Sequence, residues 1–407
     1  MTHRAPSPPP VPSAFPEATR REALIRGLRL GGGLASAAAL AACAGDLGGK
    51  AVDLGPQPGP ANVPPPAANG PAVALILPLG AQGNAGLVGQ SMRNAAELAI
   101  AEGGAPIFQL IVKDDAGNSQ GARAAADAAV NEGARIILGP LFAHSVGAVS
   151  QVARARGVPV IAFSTDTNVA APGVFLLSFL PQSDVDRIVR YSVSQGRRSF
   201  LAMIPENAYG SVTEGALQQA AADTGARVMS IERFTPAKLA DAARRIAAVA
   251  PQADAVFIPD SPDQVANVVQ QLAAAGVDLK KVRPLGTGLW DNPALIADPR
   301  MDGGQFAAPD SSGWRNFSQR YRQRFGSDPV RTATLSYDAV SLVSAILRTQ
   351  GPEGLTAATL TNPSGFNGVD GPFRFRADGT NERSLAVMEI RGGSAQVVSP
   401  PPRTFGS

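Results

Sequence analysis

Cysteine is almost absent from this 407-residue chain. Cys43 is its one thiol, and histidine occurs only at His3 and His144. A single thiol forms no internal disulfide, and this inventory falls short of the usual four-ligand zinc site. With the N-terminal signal described below removed, His144 is the one histidine left for a His-dependent triad, and neither a GxSxG nor a Walker A motif accompanies it. The chain is therefore read as a non-enzyme, with no catalytic residues, no metal site and no cofactor. Aromatic residues are scarce at 5% and charged ones at 17%. No apolar run reaches the roughly 20 residues that span a bilayer. Asp114-Asp115-Ala116-Gly117-Asn118 lacks the spacing and closing Glu of a calcium loop and reads as the entry to a helix.

What is present near the start explains where the thiol sits. Arg20, Arg21, Arg26 and Arg29 precede a short apolar run, Leu30 to Ala42, of small residues and leucine. A basic stretch, a short apolar stretch and small residues at a cut site make an export signal. Leu40-Ala41-Ala42-Cys43 resembles the bacterial lipobox, which implies that Cys43 is diacylated and becomes the first residue of a lipoprotein. Thr19-Arg20-Arg21-Glu22-Ala23-Leu24 partly resembles a twin-arginine signal, with Ala where that pattern usually has Phe. Removing residues 1–42 takes five arginines and two glutamates from totals of 36 basic and 33 acidic residues, which leaves 31 of each. A balanced charge gives no support to nucleic-acid binding. Residues 43–71, rich in Pro, Gly and Ala, cannot bury enough surface to order themselves and read as a semi-rigid tether.

From Ala72 to about Val398 the pattern becomes regular. Apolar runs such as AVALIL, ARIIL and SFLAMIP alternate with alanine-rich amphipathic stretches. Uninterrupted apolar strands separated by helices predict parallel sheets covered on both faces. The length exceeds what one core usually supports, so two lobes are expected. Near the end, Phe373 and Phe375 alternate with Arg374 and Arg376, and Asp378-Gly379 follows. This predicts a hairpin returning along Leu385 to Ile390.

In open parallel sheets, ligands gather at the carboxyl ends of strands. Those ends here read LPLGAQGNAGLVGQ, GPLFAHSVGAVS, VPVIAFSTDT, PENAYGSVTEGAL and PDSPDQV. Together with the closing GFNGVDGPFRFRADG, these segments resemble type I periplasmic binding proteins of the Leu/Ile/Val-binding group. The resemblance covers nearly the whole body in the family's order. It implies an α/β clamshell in which each lobe is a parallel sheet flanked by helices. Residues 72–180 with 308–349 would form lobe one, 181–307 with 350–398 lobe two, and 399–407 a tail.

The resemblance also implies ligand-binding positions. His144, Ser145, Ser164, Thr165 and Thr167 match the lobe-one groups that hold a solute carboxylate, beside helix N-termini. Tyr209 matches the lobe-two aromatic. The acid that meets a solute ammonium belongs in the loop Thr287-Gly288-Leu289-Trp290-Asp291, which has none at the matching place, so Asp260 or Asp291 would have to take its part. Trp290 either lines the cleft or fills a core gap. Ser145 is equally compatible with a plain helix start, Thr165 with a turn and Tyr209 with packing under a loop.

Two functions fit. One is a lipoprotein that binds a small solute of the amino-acid or related carboxylate class and feeds an ABC permease. The other follows a second resemblance, to lipoprotein activators of penicillin-binding proteins, which act by protein contact on peptidoglycan synthesis. The residues after Cys43, Ala44-Gly45, carry no Asp, which favours the outer membrane over the inner within a periplasmic, membrane-anchored location.

Overall fold

The computed structural model describes residues 70–105, 107–402 and 405. The expected signal segment, Cys43 and all but the last two residues of the tether lie outside the described residues.

The first lobe opens with β1 (Ala72–Leu77), α1 (Asn84–Glu102), β2 (Gln109–Asp114), α2 (Ser119–Asn131), β3 (Ala134–Leu138), α3 (Ala143–Ala155), β4 (Val160–Ala162) and β5 (Val174–Leu176). Its sheet has the order β2-β1-β3-β4-β5, all parallel. All six residues of β1 are buried. Strands flank it on both edges and helices cover both faces, so no side of AVALIL meets water and the run shows no alternation. On one face, Val73, Leu75 and Leu77 meet Met92 and Ala96 of α1; on the other, Ala74 and Ile76 meet Ala122 and Ala126 of α2.

The chain then crosses at 177–180 into the second lobe. There follow α4 (Pro181–Ser194), β6 (Ser199–Pro205), α5 (Ala208–Thr224), β7 (Arg227–Phe234), α6 (Leu239–Val249), β8 (Ala255–Phe257), α7 (Pro262–Ala274), β9 (Arg283–Gly286), the single turn α8 (Pro293–Ile296) and β10 (Gln305–Ala308). Pro181 stands in the first turn of α4, where its missing N–H costs nothing. A second crossover at 309–310 returns the chain to lobe one for α9 (Ser311–Phe325), α10 (Ala333–Gln350), α11 (Ala357–Leu360) and the antiparallel β11 (Phe366–Gly368), β12 (Gly371–Phe375) and β13 (Asn381–Arg383). A third crossover, at 384–385, leads to β14 (Ala386–Arg391) and β15 (Ser394–Ser399). The second sheet has the order β15-β14-β10-β9-β8-β6-β7, with β14 and β15 antiparallel at one edge.

Two expectations are corrected here. The hairpin returns through Asn381–Arg383, not along Leu385 to Ile390; the latter stretch leaves to pair with β10. Nor do residues 350–398 all belong to lobe two. Leu355, Leu360, Phe373 and Phe375 lie in the core of lobe one, whereas Ala386, Met388 and Ile390 lie in that of lobe two. Burial sets both outcomes. Phe373 and Phe375 point to one side of β12 and cover the first lobe, where Phe375 meets Phe175 at 5.4 Å between ring centres. Val387, on the opposite face of β14 from Met388, completes the α4–α5 side of the second lobe.

Candidate functional site

The three crossovers determine where a solute can be enclosed. The chain leaves lobe one from the carboxyl end of β5 and leaves lobe two from the carboxyl end of β10. Those ends therefore point towards the other lobe, and the loops after the parallel strands line the space between.

On lobe two, the loop after β9 organises this face. The Tyr209 hydroxyl is 2.8 Å from Thr287 Oγ1. The next residue, Gly288, donates its N–H to Asp184 Oδ2 at 2.9 Å. A Cβ on Gly288 would meet that same oxygen at 3.2 Å, so the α4 carboxylate occupies the space a side chain there would need. Asp260 is nearly buried and accepts the N–H of Ser261 at 2.7 Å. Burial raises the Asp260 carboxyl above its usual range and pushes Asp184 up to about 7, against the pull of the Gly288 N–H and Arg383. Tyr209 is raised as well, by burial and then by the nearby Asp184.

Tyr209 owes its place to the residues around it. Asn207 caps α5 by accepting the N–H of Gly210 at 2.8 Å. A Cβ on Gly210 would lie 2.0 Å from the Pro205 carbonyl oxygen, which explains the glycine after the tyrosine. Gly210→Ala is therefore expected to cost about 1–3 kcal/mol by overpacking and to displace Tyr209. A melting curve lowered by several degrees would report the first effect.

On lobe one the expected residues divide. His144 is exposed at the start of α3; its Nε2 lies 3.1 Å from the Gly117 carbonyl oxygen, and its ring stacks on Phe142 at 5.6 Å. Ser145 is wholly buried and sits beside the buried Asp115 carboxyl, with its Oγ in no hydrogen bond of good geometry. Its hydroxyl is turned inward, which corrects the expected ligand role. No side chain caps α3, since Phe142 holds the capping position, so this lobe presents the first backbone N–H groups of the helix instead. Ser164 is nearly buried and accepts the N–H of Asp166 at 3.1 Å, while Asp166 accepts that of Asn168 at 3.0 Å. This is the turn-closing alternative. Thr165 stays exposed on that turn, and Thr167 opens a short 3-10 turn.

Trp290 takes the core alternative and not the cleft. Its accessible surface is zero, its Nε1 donates to the Ile258 carbonyl at 3.1 Å, and its ring meets Phe306 at 6.4 Å. It fills the core beneath the β9 loop. Asp291 is exposed, raised by its surroundings but drawn down by Arg331 and Arg315 of lobe one. Asp184 was not legible in the sequence, because α4 lies more than a hundred residues from the loop it serves. The Asp114–Asn118 loop is a helix entry as expected: Asp114 accepts the N–H groups of Gly80 and Ala116, and Asn118 caps α2. No metal-binding group of three His, Cys, Asp or Glu occurs among the described residues.

A separate cavity of about 1130 Å³ runs beside the crossovers, bordered by Gln182, Arg187, Val212, Arg374 and Arg383. Of the expected site residues only Thr167 touches it. Wall charges there pair with one another, Arg374 with Glu382 and Arg190 with Asp186.

The sequence model of the periplasmic binding protein family matches residues 72–395. The fold is similar to a branched-chain amino acid ABC transporter structure from Rhodospirillum rubrum, at a TM-score of 0.72 and 20% identity over 81% of this chain and all of that one. It is similar to a substrate-binding protein from Desulfitobacterium hafniense in complex with Leu (TM-score 0.60, 18% identity, 81% and 99% covered). It also resembles a solute-binding protein from R. palustris in complex with benzoate (0.55, 20%, 82% and 97%). Among curated sequences, an uncharacterized protein of Rickettsia prowazekii is 23% identical over 146 residues, which span 36% of this chain and 38% of that protein. With four-fifths of its length matched from β1 to β15, the chain belongs to the periplasmic binding protein family.

Proposed function

We propose that this protein is a periplasmic solute-binding lipoprotein, anchored through Cys43, that encloses a small polar solute between its lobes and delivers it to an ABC permease. The observation that carries this reading is the convergence at the β9 loop. Thr287 and Gly288, adjacent in the chain, hold the Tyr209 hydroxyl and the Asp184 carboxylate side by side at the carboxyl end of β9. A few fixed polar groups at strand ends between hinged lobes suit recognition of a small polar molecule, with closure by population shift. The solute-bound relatives, one with Leu and one with benzoate, support the same use of the fold.

The test is a thermal-shift screen with amino acids and small carboxylates. A solute at about 100 times its Kd adds roughly 2.7 kcal/mol, which raises the melting temperature by a few degrees. Tyr209→Ala abolishes the shift if the reading is right. A flat screen with folded protein sinks it, and pull-down with penicillin-binding proteins then examines the activator reading. Radiolabelled palmitate incorporated by the wild type and lost in Cys43→Ala tests the anchor.

A further inference from the structure

At the end of β15 the chain reads Ser399-Pro400-Pro401-Pro402. Consecutive prolines have no N–H to pair with a neighbouring strand, and their fixed φ makes the run semi-rigid, at about 3.1 Å per residue. The sheet edge therefore ends at Ser399, and the prolines offer only their carbonyl oxygens. Two of these are taken. Arg187 of α4 donates from Nη2 to Ser399 Oγ at 2.6 Å and to the Pro400 carbonyl at 3.3 Å, and from Nε to the Leu385 carbonyl at 2.8 Å. The Ser384 hydroxyl donates to the Pro402 carbonyl. Ser384 is buried and its N–H donates to the Pro372 carbonyl of β12 at 2.9 Å, which ties it to lobe one, while Leu385 lies in the core of lobe two. The prolines thus lie over the third crossover, where the lobes join.

Phe405 reaches the first lobe. The Arg374 guanidinium of β12 stacks on its ring at 4.9 Å and is itself bound by Glu382 of β13 at 2.9 Å. A Cβ on Gly365, which precedes β11, would lie 2.7 Å from Phe405 Cε2, so the ring rests on bare backbone that only a glycine provides. The tail is therefore held by lobe two at one end, through β15 and Arg187, and by lobe one at the other. Between these holds lies the cavity beside the crossovers. Gln182 and Val212 border it from lobe two, Arg376 and Asp378 from lobe one, and Pro402 and Phe405 from the tail. Three covalent crossovers close together permit rotation of one lobe against the other. A further link fixed on both sides of this gap resists its widening, because parting the lobes pulls Phe405 off Gly365 and Arg374. We propose that residues 399–402 and Phe405 form a strap that limits how far the two lobes part. The strap acts on lobe motion and needs no solute, so its test can fail while the solute-binding reading stands.

The test measures the distance between lobes in the absence of any solute, by double electron–electron resonance. In a Cys43→Ala background, spin labels are placed on Ala124→Cys of α2 and Gln219→Cys of α5, both exposed positions on different lobes. The full-length chain is expected to give a narrow distribution. A chain ending at Ser399 should give a broader one with a longer mean distance, at an unchanged helical circular-dichroism signal. Phe405→Ala, which keeps the prolines and removes only the lobe-one hold, should shift the distribution in the same direction, and Phe405→Tyr, which keeps the stack on Arg374, should restore it. Unchanged distributions in the shortened chain and in Phe405→Ala overturn the proposal, as does a shift to shorter distance. Should the shortened chain fail to fold, Phe405→Ala against Phe405→Tyr decides alone: equal distributions in the two overturn the strap.

Discussion

Replacing Trp290 with alanine is expected to lower stability by about 3–5 kcal/mol, at the upper end for a core truncation. The side chain has no accessible surface, and it lies in the core formed with Phe306, Met301, Val256 and Met388. It also fits a space shaped around it. A Cβ on Gly286 would lie 2.1 Å from its ring and one on Gly304 would lie 3.1 Å from it, so two backbone segments close on the indole where no other side chain intervenes. Truncation leaves a cavity the strands cannot easily close, and it leaves the Ile258 carbonyl without its 3.1 Å hydrogen bond. Urea unfolding of wild type and Trp290→Ala measures the loss. A loss under 1 kcal/mol would show that the indole was not packed as described. Trp290→Phe keeps much of the volume but not the N–H, so it separates the two contributions.

Stability is also expected to fall as pH rises from about 5 to 8, and Asp338→Asn should remove a large part of that slope. Asp338 is 3% exposed; its Oδ1 accepts the Val369 N–H at 2.8 Å and its Oδ2 has no hydrogen-bond partner. Burial pushes its carboxyl up to about 7, opposed by Arg383 and the Val369 N–H and reinforced by Asp370. In the unfolded chain the same carboxyl releases its proton near pH 4. Between those values the folded state holds a proton that the unfolded state has lost, so each rise in pH favours unfolding. The contribution is fully present below about pH 4 and gone above about pH 7, and for this residue it is on the order of a few kcal/mol. Asp184 adds to the slope with the same sign. Asp298, Asp310 and Glu389, held low by their partners, act in the opposite sense only in more acidic solution. Urea midpoints at pH 5, 6, 7 and 8 decide the matter: the wild type declines, and Asp338→Asn declines less and is the more stable of the two at pH 8. A flat wild-type profile across that window would refute the assignment.

The same region carries stacked cations at the first crossover. Phe179, on the first crossover, lies between the guanidiniums of Arg331 at 4.6 Å and Arg383 at 4.8 Å, and Arg331 also covers Trp314 at 4.8 Å. Asp370 holds Arg331 by a bidentate pair, while the Arg383 Nε donates to the Ser178 carbonyl.

The sequence by itself determined the two parallel sheets. An uninterrupted apolar run such as AVALIL has one physical use, a strand covered on both faces, and alanine-rich stretches between such runs leave little but covering helices. It also set an expectation about chemistry, since one Cys and two His offer few routes to a His-based or metal site. Local rules served equally well where a feature needs only neighbours, as with the Asn118 and Asn207 caps. Tertiary structure decided the rest. The route of β13 and β14 depended on which lobe had room for Phe373 and which for Val387. Trp290 and Ser145 stand at positions that look like ligand contacts in one dimension, and burial turned both inward. Asp184 meets the β9 loop because α4 starts at a crossover and lays its first turn against that loop, a contact across a hundred residues of chain. Periodicity records which face of an element is apolar. It does not record which polar side chain from a distant element fills the space a glycine leaves, as Asp184 does beside Gly288.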